Sequence, residues 1–332
     1  MALSTIQNNS LADTAVHGYR NLIINGNFSV SQRGTSFTTD NVYTLDRWFS
    51  GDGTGGTPAR TLSQETFTLG QTDVPNAYYY LRHNQTGAST NGNSSLVQKI
   101  EDVTRFDGQT VTLSFYAKAD AAMDIDVLFI QDFGTGGSPS SDVTLTETVS
   151  IGTSWTRYTV TKTLGSLSGK TLGSDGVNTS FLAINMELQP TTTFTLDMAL
   201  CQLEYGSEAT PFEQRPYGDE LRRCQRYYQR WDGSSTAVSS GGLWYGATQV
   251  LSKLEFWVPM RTGPSMTASA ANWGTCYDVG DARTTNDNTP FDNIRYTGCR
   301  INANPVATGT AGRGTMMQLN GTDKFLEADA EL

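Results

Sequence analysis

The residues of this chain best suited to holding a ligand are aromatic, and they lie in three places. The stretch NAYYYLRH puts Tyr78 and Tyr80 on one face of a strand with Tyr79 on the other. The stretches GGLWYGATQ and SAANWGTCYD set Trp244, Tyr245, Trp273 and Tyr277 among small residues, where exposure is expected. An aromatic ring with a wet polar tip can lie against the C–H face of a sugar ring, so these six are the candidate ligand-binding residues. For Tyr78 and Tyr80 a second reading stands beside it: the rings pack in a core or against a neighbouring subunit, with the hydroxyl at the rim.

Other chemistry is thinly represented. GDGTGG at 51–56 fits the spacing of a dinucleotide fingerprint, but TPARTLSQ behind it reads as turn then strand, so it is expected to be a loop. The two histidines, His17 and His83, cannot supply a metal cluster or a convincing base, and both read as ordinary surface or packed residues. Asp124, Asp126 and Asp132 crowd one strand, and a carboxylate pair can hydrolyse a glycosidic bond, yet any β protein with 33 acids offers such pairs. Arg222, Arg223, Arg226 and Arg230 crowd one segment and read as a solvated helix face or as partners for acids. The expectation is a protein that is not an enzyme, with no catalytic residues, no metal and no cofactor.

Composition narrows the partners. Only 17% of residues are charged and the net charge is −10, so the basic footprint that tracks a phosphate backbone is missing and nucleic acid is not expected. The densest apolar run, Val127 to Ile130, is far short of a membrane-spanning helix, and no membrane insertion is expected. MALSTIQNNSLADTAVHG lacks a basic n-region and an apolar h-region, so secretory export is not expected. Cys201, Cys224, Cys276 and Cys299 form no CxxC pair and read as small buried apolar residues, with a Cys276–Cys299 disulfide left open.

These residues must be positioned by strands. Gly, Thr, Ser and Asn are plentiful beside 14 Tyr, 14 Phe and 6 Trp, the balance of many strands joined by tight turns. Period-two faces run through Val111, Leu113, Phe115 and Ala117; through Leu182, Ile184, Met186 and Leu188; and through Phe194, Leu196, Met198 and Leu200. The spacing of the turn clusters predicts an all-β fold: a jelly-roll β-sandwich over 21–213 and a second, smaller β domain over 233–332. Residues 1–20 read as an arm with no core of its own. Between the domains, GDELRRCQRYYQRW places Leu221, Cys224, Tyr228 and Trp231 near one helical face, which predicts a junction helix within 214–232, three to four turns long.

NLIINGNFSVSQRGTSF with YTLDRWF, and then LDMALCQLEYGSEATPFEQRPYGDELRRCQRYYQRW, resembles the tail-fibre and receptor-binding proteins of tailed bacteriophages, whose central part is similar to jelly-roll carbohydrate-binding modules. FWVPMRTGPSM through FLEADAEL resembles their C-terminal region, and STIQNNSLADTAV their short virion-attachment segments. The resemblance implies a non-enzymatic structural protein of the virion, assembled in the host cytoplasm. The arm would dock on other virion proteins and the sandwiches would hold a host-surface glycan or other receptor, with the C-terminal loops making contact. It also implies a homotrimer, in which avidity would multiply weak contacts by roughly 10²–10⁴. A head fibre or capsid decoration protein of the same fold is the rival reading. A virion-bound polysaccharide depolymerase is a third, for which no β-helix repeat appears. The resemblance makes NLIINGNF the first strand of the jelly roll and places Asn27 and Asp197 where related modules hold structural calcium, although Ser29 stands where those modules often have an acid.

Overall fold

A computed structural model describes residues 19–52, 59–88, 94–188, 191–233, 240–269, 273–278, 281–284, 291–305, 308–319 and 321–332. The chain divides into two compact units, residues up to 217 with Leu332, and residues 218–331. The expected arm over 1–20 lies almost wholly outside the described residues, as does His17.

The first unit is a jelly-roll sandwich. Its strands are β1 (Ser36–Phe37), β2 (Val42–Tyr43), β3 (Phe49–Asp52), β4 (Arg60–Thr66), β5 (Tyr79–Gln85), β6 (Ser94–Glu101), β7 (Thr110–Ala119), β8 (Met123–Asp132), β9 (Val143–Ile151), β10 (Thr156–Thr163), β11 (Phe181–Leu188) and β12 (Phe194–Tyr205). They form a front sheet in the order β1-β4-β5-β12-β7-β10 and a back sheet in the order β2-β3-β6-β11-β8-β9. The expected period-two faces are the inner faces: Val111, Leu113, Phe115 and Ala117 from β7 meet Leu182, Ile184, Met186 and Leu188 from β11 in one core. Each large member contributes about 1.5–3 kcal/mol by leaving water. In β12 the alternation is interrupted. Phe194, Leu196 and Met198 face inward, then a bulge between Ala199 and Gln202 puts Leu200 at φ 50° and hands the inner face to Cys201 and Leu203.

That bulge receives NLIINGNF, and here the expectation of a first strand is corrected. Residues 21–30 form no strand, and the ladder begins with Ser36. Asparagine side chains bond the backbone in place of a neighbouring strand. The Asn21 amide donates to the Cys201 carbonyl (3.1 Å), and its oxygen accepts from the Ile23 and Leu203 amides (2.9 and 3.1 Å). Asn25, at φ 59°, bonds Val30 through both ends of its side chain and also donates to the Asp46 carbonyl (3.0 Å). Gly26 is required, because a Cβ there would run into the Cys201 carbonyl. Ile23, Phe28 and Val30 are still fully buried, so the apolar pattern signalled burial and not strand.

The second unit packs two sheets of unequal size. Helix α1 (Tyr217–Gln225) leads into β13 (Tyr228–Asp232), followed by β14 (Ser240–Gly246), β15 (Gln249–Glu255), β16 (Ser265–Ala268), β17 (Gly274–Asp278), β18 (Asp281–Thr284), β19 (Phe291–Arg295), β20 (Gly298–Ala303), β21 (Gly314–Leu319) and β22 (Phe325–Asp329). One sheet has the order β13-β22-β16 and the other β18-β17-β21-β14-β15-β20-β19. Trp231, Leu326 and Ala328 from the smaller sheet share a core with Trp244, Val250, Ile301 and Met317 from the larger.

The junction helix is therefore shorter than expected. It ends at Gln225, and Tyr228 and Trp231 lie on β13, paired with Asp329 and Leu326 of β22. A helical period and a strand period both fit Cys224, Tyr228 and Trp231, and pairing with a distant strand decided between them. Arg230 accordingly sits on a strand, bonded to Glu327 at 2.9 Å and lying over the Phe325 ring. The four cysteines are buried. Three strands separate β17, which carries Cys276, from β20, which carries Cys299. Those roughly four interstrand spacings of about 4.8 Å are too far for a disulfide. Burial pushes both thiols up to about 12, so they stay protonated at neutral pH.

Candidate functional site

The outward face of the front sheet collects side chains from three strands, β5, β7 and β12, and from the segments that follow β4 and β7 and precede β10. Register sets Arg82 of β5 and Lys118 of β7 on either side of Asp197 of β12. Strand alternation sends all three outward, because Leu81, His83, Leu196, Met198, Ala117 and Ala119 beside them are buried. Arg82 grips Asp197 with two bonds of 2.7 and 2.9 Å, and Lys118 approaches to 3.7 Å. The carboxylate is only 3% exposed, while the two cations are about a third exposed. Two cations thus cover one acid, and each keeps donors facing solvent.

Aromatic rings stand beside this row. Phe67, Tyr80 and Trp155 touch one another, with centroids 4.8, 5.2 and 5.6 Å apart and tilted or edge-on geometry. Arg82 lies over Tyr80 at 5.6 Å and Lys118 over Trp155 at 5.4 Å, so the cations bridge the charged row to the ring wall. The Tyr80 hydroxyl accepts from Arg82 at 3.3 Å, and its pKa is raised by burial first and by the Asp197 charge second. Hydrogen bonding to Asp197 raises that of Arg82. Behind the rings, Val74, Ala199 and Leu200 form a small second core with Ala77, Tyr116 and Phe212. The wall is therefore fixed from behind. On the other side of the row, Asn84 accepts from Thr195 at 3.3 Å and exposed Asp120 binds the Thr195 amide at 3.0 Å. The open surface offers, side by side, an apolar edge, a guanidinium, an ammonium, an amide and a carboxylate.

The six residues expected to bind ligand are scattered. Tyr80 is half-buried within the ring wall, and Tyr78 lies just before β5, half-exposed, its ring edge-on to Tyr79 at 4.7 Å. Tyr245 and Tyr277 are exposed at 68% and 40% on the larger sheet of the second unit, on β14 and β17 with β21 between them. Trp244 and Trp273 correct the expectation of exposure: they are 0% and 2% exposed and belong to the core. Trp244 is adjacent to Tyr245 and so points to the opposite face. Gly309 lies so close to its indole that any Cβ would collide with it. A covered ring offers no stacking face.

Trp155, Phe67, Arg82 and Lys118 were missed as site residues, and Asp197 was singled out only as a calcium position. One signal was present: Arg82 stands two residues after Tyr80 and therefore shares its face. Nothing local marks Trp155, which reaches the row only because Thr156 of β10 pairs with Ala117 of β7. The calcium ligands suggested by resemblance do not fit. Both oxygens of Asp197 face cations, and the Asn27 side-chain oxygen accepts from Ser29 at 2.9 Å. Among the described residues no group of three or more metal-ligating side chains converges. Asp124 and Asp126 on β8 accept from Ser150 and Thr148 of β9, each at 2.6 Å. Gly51 and Asp52 of the GDGTGG stretch end β3, and the rest of it lies outside the described residues.

His83 is packed, as expected, and forms part of a buried polar cluster. Ser94 Oγ accepts from Arg60 at 2.7 Å and stands 3.2 Å from His83 Nε2. Arg60 also pairs with Asp40. Burial first, and then the Arg60 charge, lowers the His83 pKa to about 3. The pair is sealed from solvent, so Ser94 is no accessible nucleophile.

No protein-family model and no curated protein matches the chain. Among solved structures the chain is similar to the enzymatically active domain of tailspike protein 4 of bacteriophage CBA120, at 13% identity and a TM-score of 0.37, covering 57% of this chain and 22% of that one. It is also similar to a putative sugar binding protein from Bacteroides thetaiotaomicron, at 15% identity and a TM-score of 0.38, covering 56% and 100%. A family 11 carbohydrate-binding module from Clostridium thermocellum matches at 17% identity and a TM-score of 0.32, covering 53% and 98%. The chain spans about a fifth of the tailspike chain's length.

Proposed function

We propose that this protein is a non-enzymatic attachment component of a phage virion, a tail fibre that holds a host-surface glycan on the outward face of the front sheet. The observation that carries the binding reading is the Arg82–Asp197–Lys118 row set against the Tyr80–Trp155 wall. Sugars need this combination: a ring edge for their C–H faces, and donors and acceptors already aligned for their hydroxyls. Asp197 holds both cations in place, so little side-chain entropy is lost when a sugar binds. The virion assignment, and docking through the N-terminal arm, rest on the sequence resemblance to phage tail proteins.

The test is adsorption of purified protein to host cells and its block of infection by intact virions. Trp155→Ala is expected to weaken adsorption about tenfold or more, the loss typical of a central aromatic contact. A folded Trp155→Ala protein that adsorbs and blocks as well as the parent would remove the front-sheet face from the reading. Absence of adsorption by the parent itself would remove host attachment.

A further inference from the structure

The second unit carries an open cleft of about 970 Å³ over β14, β15, β20 and β19, distinct from the front-sheet face of the first unit. Its floor is apolar, from Leu243 and Leu251, which pair across β14 and β15, and from Phe256 and Pro259. Gly241 and Gly242 bring no side chains, so the floor lies low beside Leu243. Volume and lining are those of a small-ligand site, larger than a single sugar requires.

The charges of the cleft run against those of the chain. In a protein of net charge −10, the cleft is lined by Lys253, Arg295 and Arg300 with Glu255 as its one acid. Two of the cations are already engaged. Lys253 pairs with Glu255 at 2.5 Å, and Arg300 grips Asp292 with bonds of 2.5 and 2.6 Å. The third is not. Among the described residues Arg295 donates only to the Ile294 carbonyl at 2.9 Å and meets no carboxylate. One available guanidinium fork matches one carboxylate in charge and geometry, and falls short of a phosphate dianion.

Two exposed aromatic residues directly follow cleft-lining residues in sequence, Trp257 after Phe256 and Tyr296 after Arg295. Trp257 and Tyr296 are 46% and 57% exposed. They lie on neighbouring segments, because the Phe256 amide bonds the Thr297 carbonyl at 3.2 Å and the Met260 amide bonds the Tyr296 carbonyl at 2.7 Å. Trp257 rests on Trp231, centroids 5.0 Å apart, and its amide donates to Gln229, so its ring has a firm seat. The apolar floor suits the C–H faces of pyranose rings, and Asn293 and Thr297 of the lining suit their hydroxyls.

We propose that this cleft binds an acidic saccharide through its carboxylate, with Arg295 as the anion partner. The site is independent of the glycan face proposed on the first unit and does not need that face to be correct. The experiment is calorimetric titration of the full chain in low-salt buffer with a galacturonate trisaccharide, its methyl ester and a sugar phosphate of similar size. Binding of the acid is expected, with a loss of about tenfold or more for the ester and for Arg295→Gln. Trp155→Ala is expected to leave it unchanged. Arg295 is exposed, so its substitution does not threaten folding. Equal affinity for the ester, unchanged affinity in Arg295→Gln, tighter binding of the phosphate, or loss of binding in Trp155→Ala would each overturn the assignment. So would failure of galacturonate, glucuronate and sialic acid oligosaccharides to bind at all.

Discussion

The two units solve the same packing problem with different residues. The first encloses polar and charged groups within its sandwich: Arg60 with Asp40, His83 with Ser94, and Asn25 bonded to the backbone around it. The core of the second is built on large aromatics, with Trp231, Trp244 and Trp273 packed beside Cys276 and Cys299. The outward faces differ in the same sense. Asp197 is nearly buried beneath two cations, whereas the Lys253–Glu255 and Arg300–Asp292 pairs stand in solvent. Buried pairs hold geometry, and exposed pairs can exchange partners cheaply. The first unit is therefore suited to a prearranged site, and the second to one that adapts around a ligand's charge.

Three substitutions or titrations would sharpen or break this contrast. The largest effect is expected from Trp244→Ala, which empties the middle of the second core. A loss of about 3–5 kcal/mol is expected in calorimetric or denaturant unfolding, with sugar binding on the first unit retained. Loss of that binding would mean that the two units do not act separately. Next is Asp197→Ala, which leaves Arg82 and Lys118 facing each other without their anion. Urea unfolding should show about 2–3 kcal/mol of destabilisation, and Asp197→Asn should recover part of it. A change within error would show that the row is an ordinary surface pair.

The smallest effect is a pH dependence. The folded pKa of His83 is about 3, below its ordinary value of 6.5. Between those values the unfolded chain binds a proton that the folded chain does not, so stability falls as pH drops through that window. The loss attributable to His83 is about 2 kcal/mol by pH 5. Unfolding of His83→Gln measured between pH 7 and 5 should show a correspondingly flatter slope. Parallel slopes for parent and variant would mean that the imidazole is not buried neutral.

Much of this architecture was legible in order along the chain. Alternation in β7 and β11 depends only on neighbouring residues, because successive strand side chains point to opposite faces, and those faces proved to be the core. The all-β composition and the return to strand pattern after 232 were legible for the same reason. The site was less so. Tyr80 was identified and Trp155 was not, since the wall they share exists only where β5, β12, β7 and β10 come into register.

Local pattern determined which side chains share a face, which segments are apolar, and that the chain builds sandwiches. Tertiary structure alone decided which faces are covered. Trp244 and Tyr245 are neighbours in an identical setting of small residues, yet Gly309 and the second core close over one and leave the other in solvent. Asn21 and Asn25 turned an apolar stretch into a clasp by bonding backbone that a strand would have paired. Burial depends on atoms contributed from far along the chain, and periodicity carries no information about them.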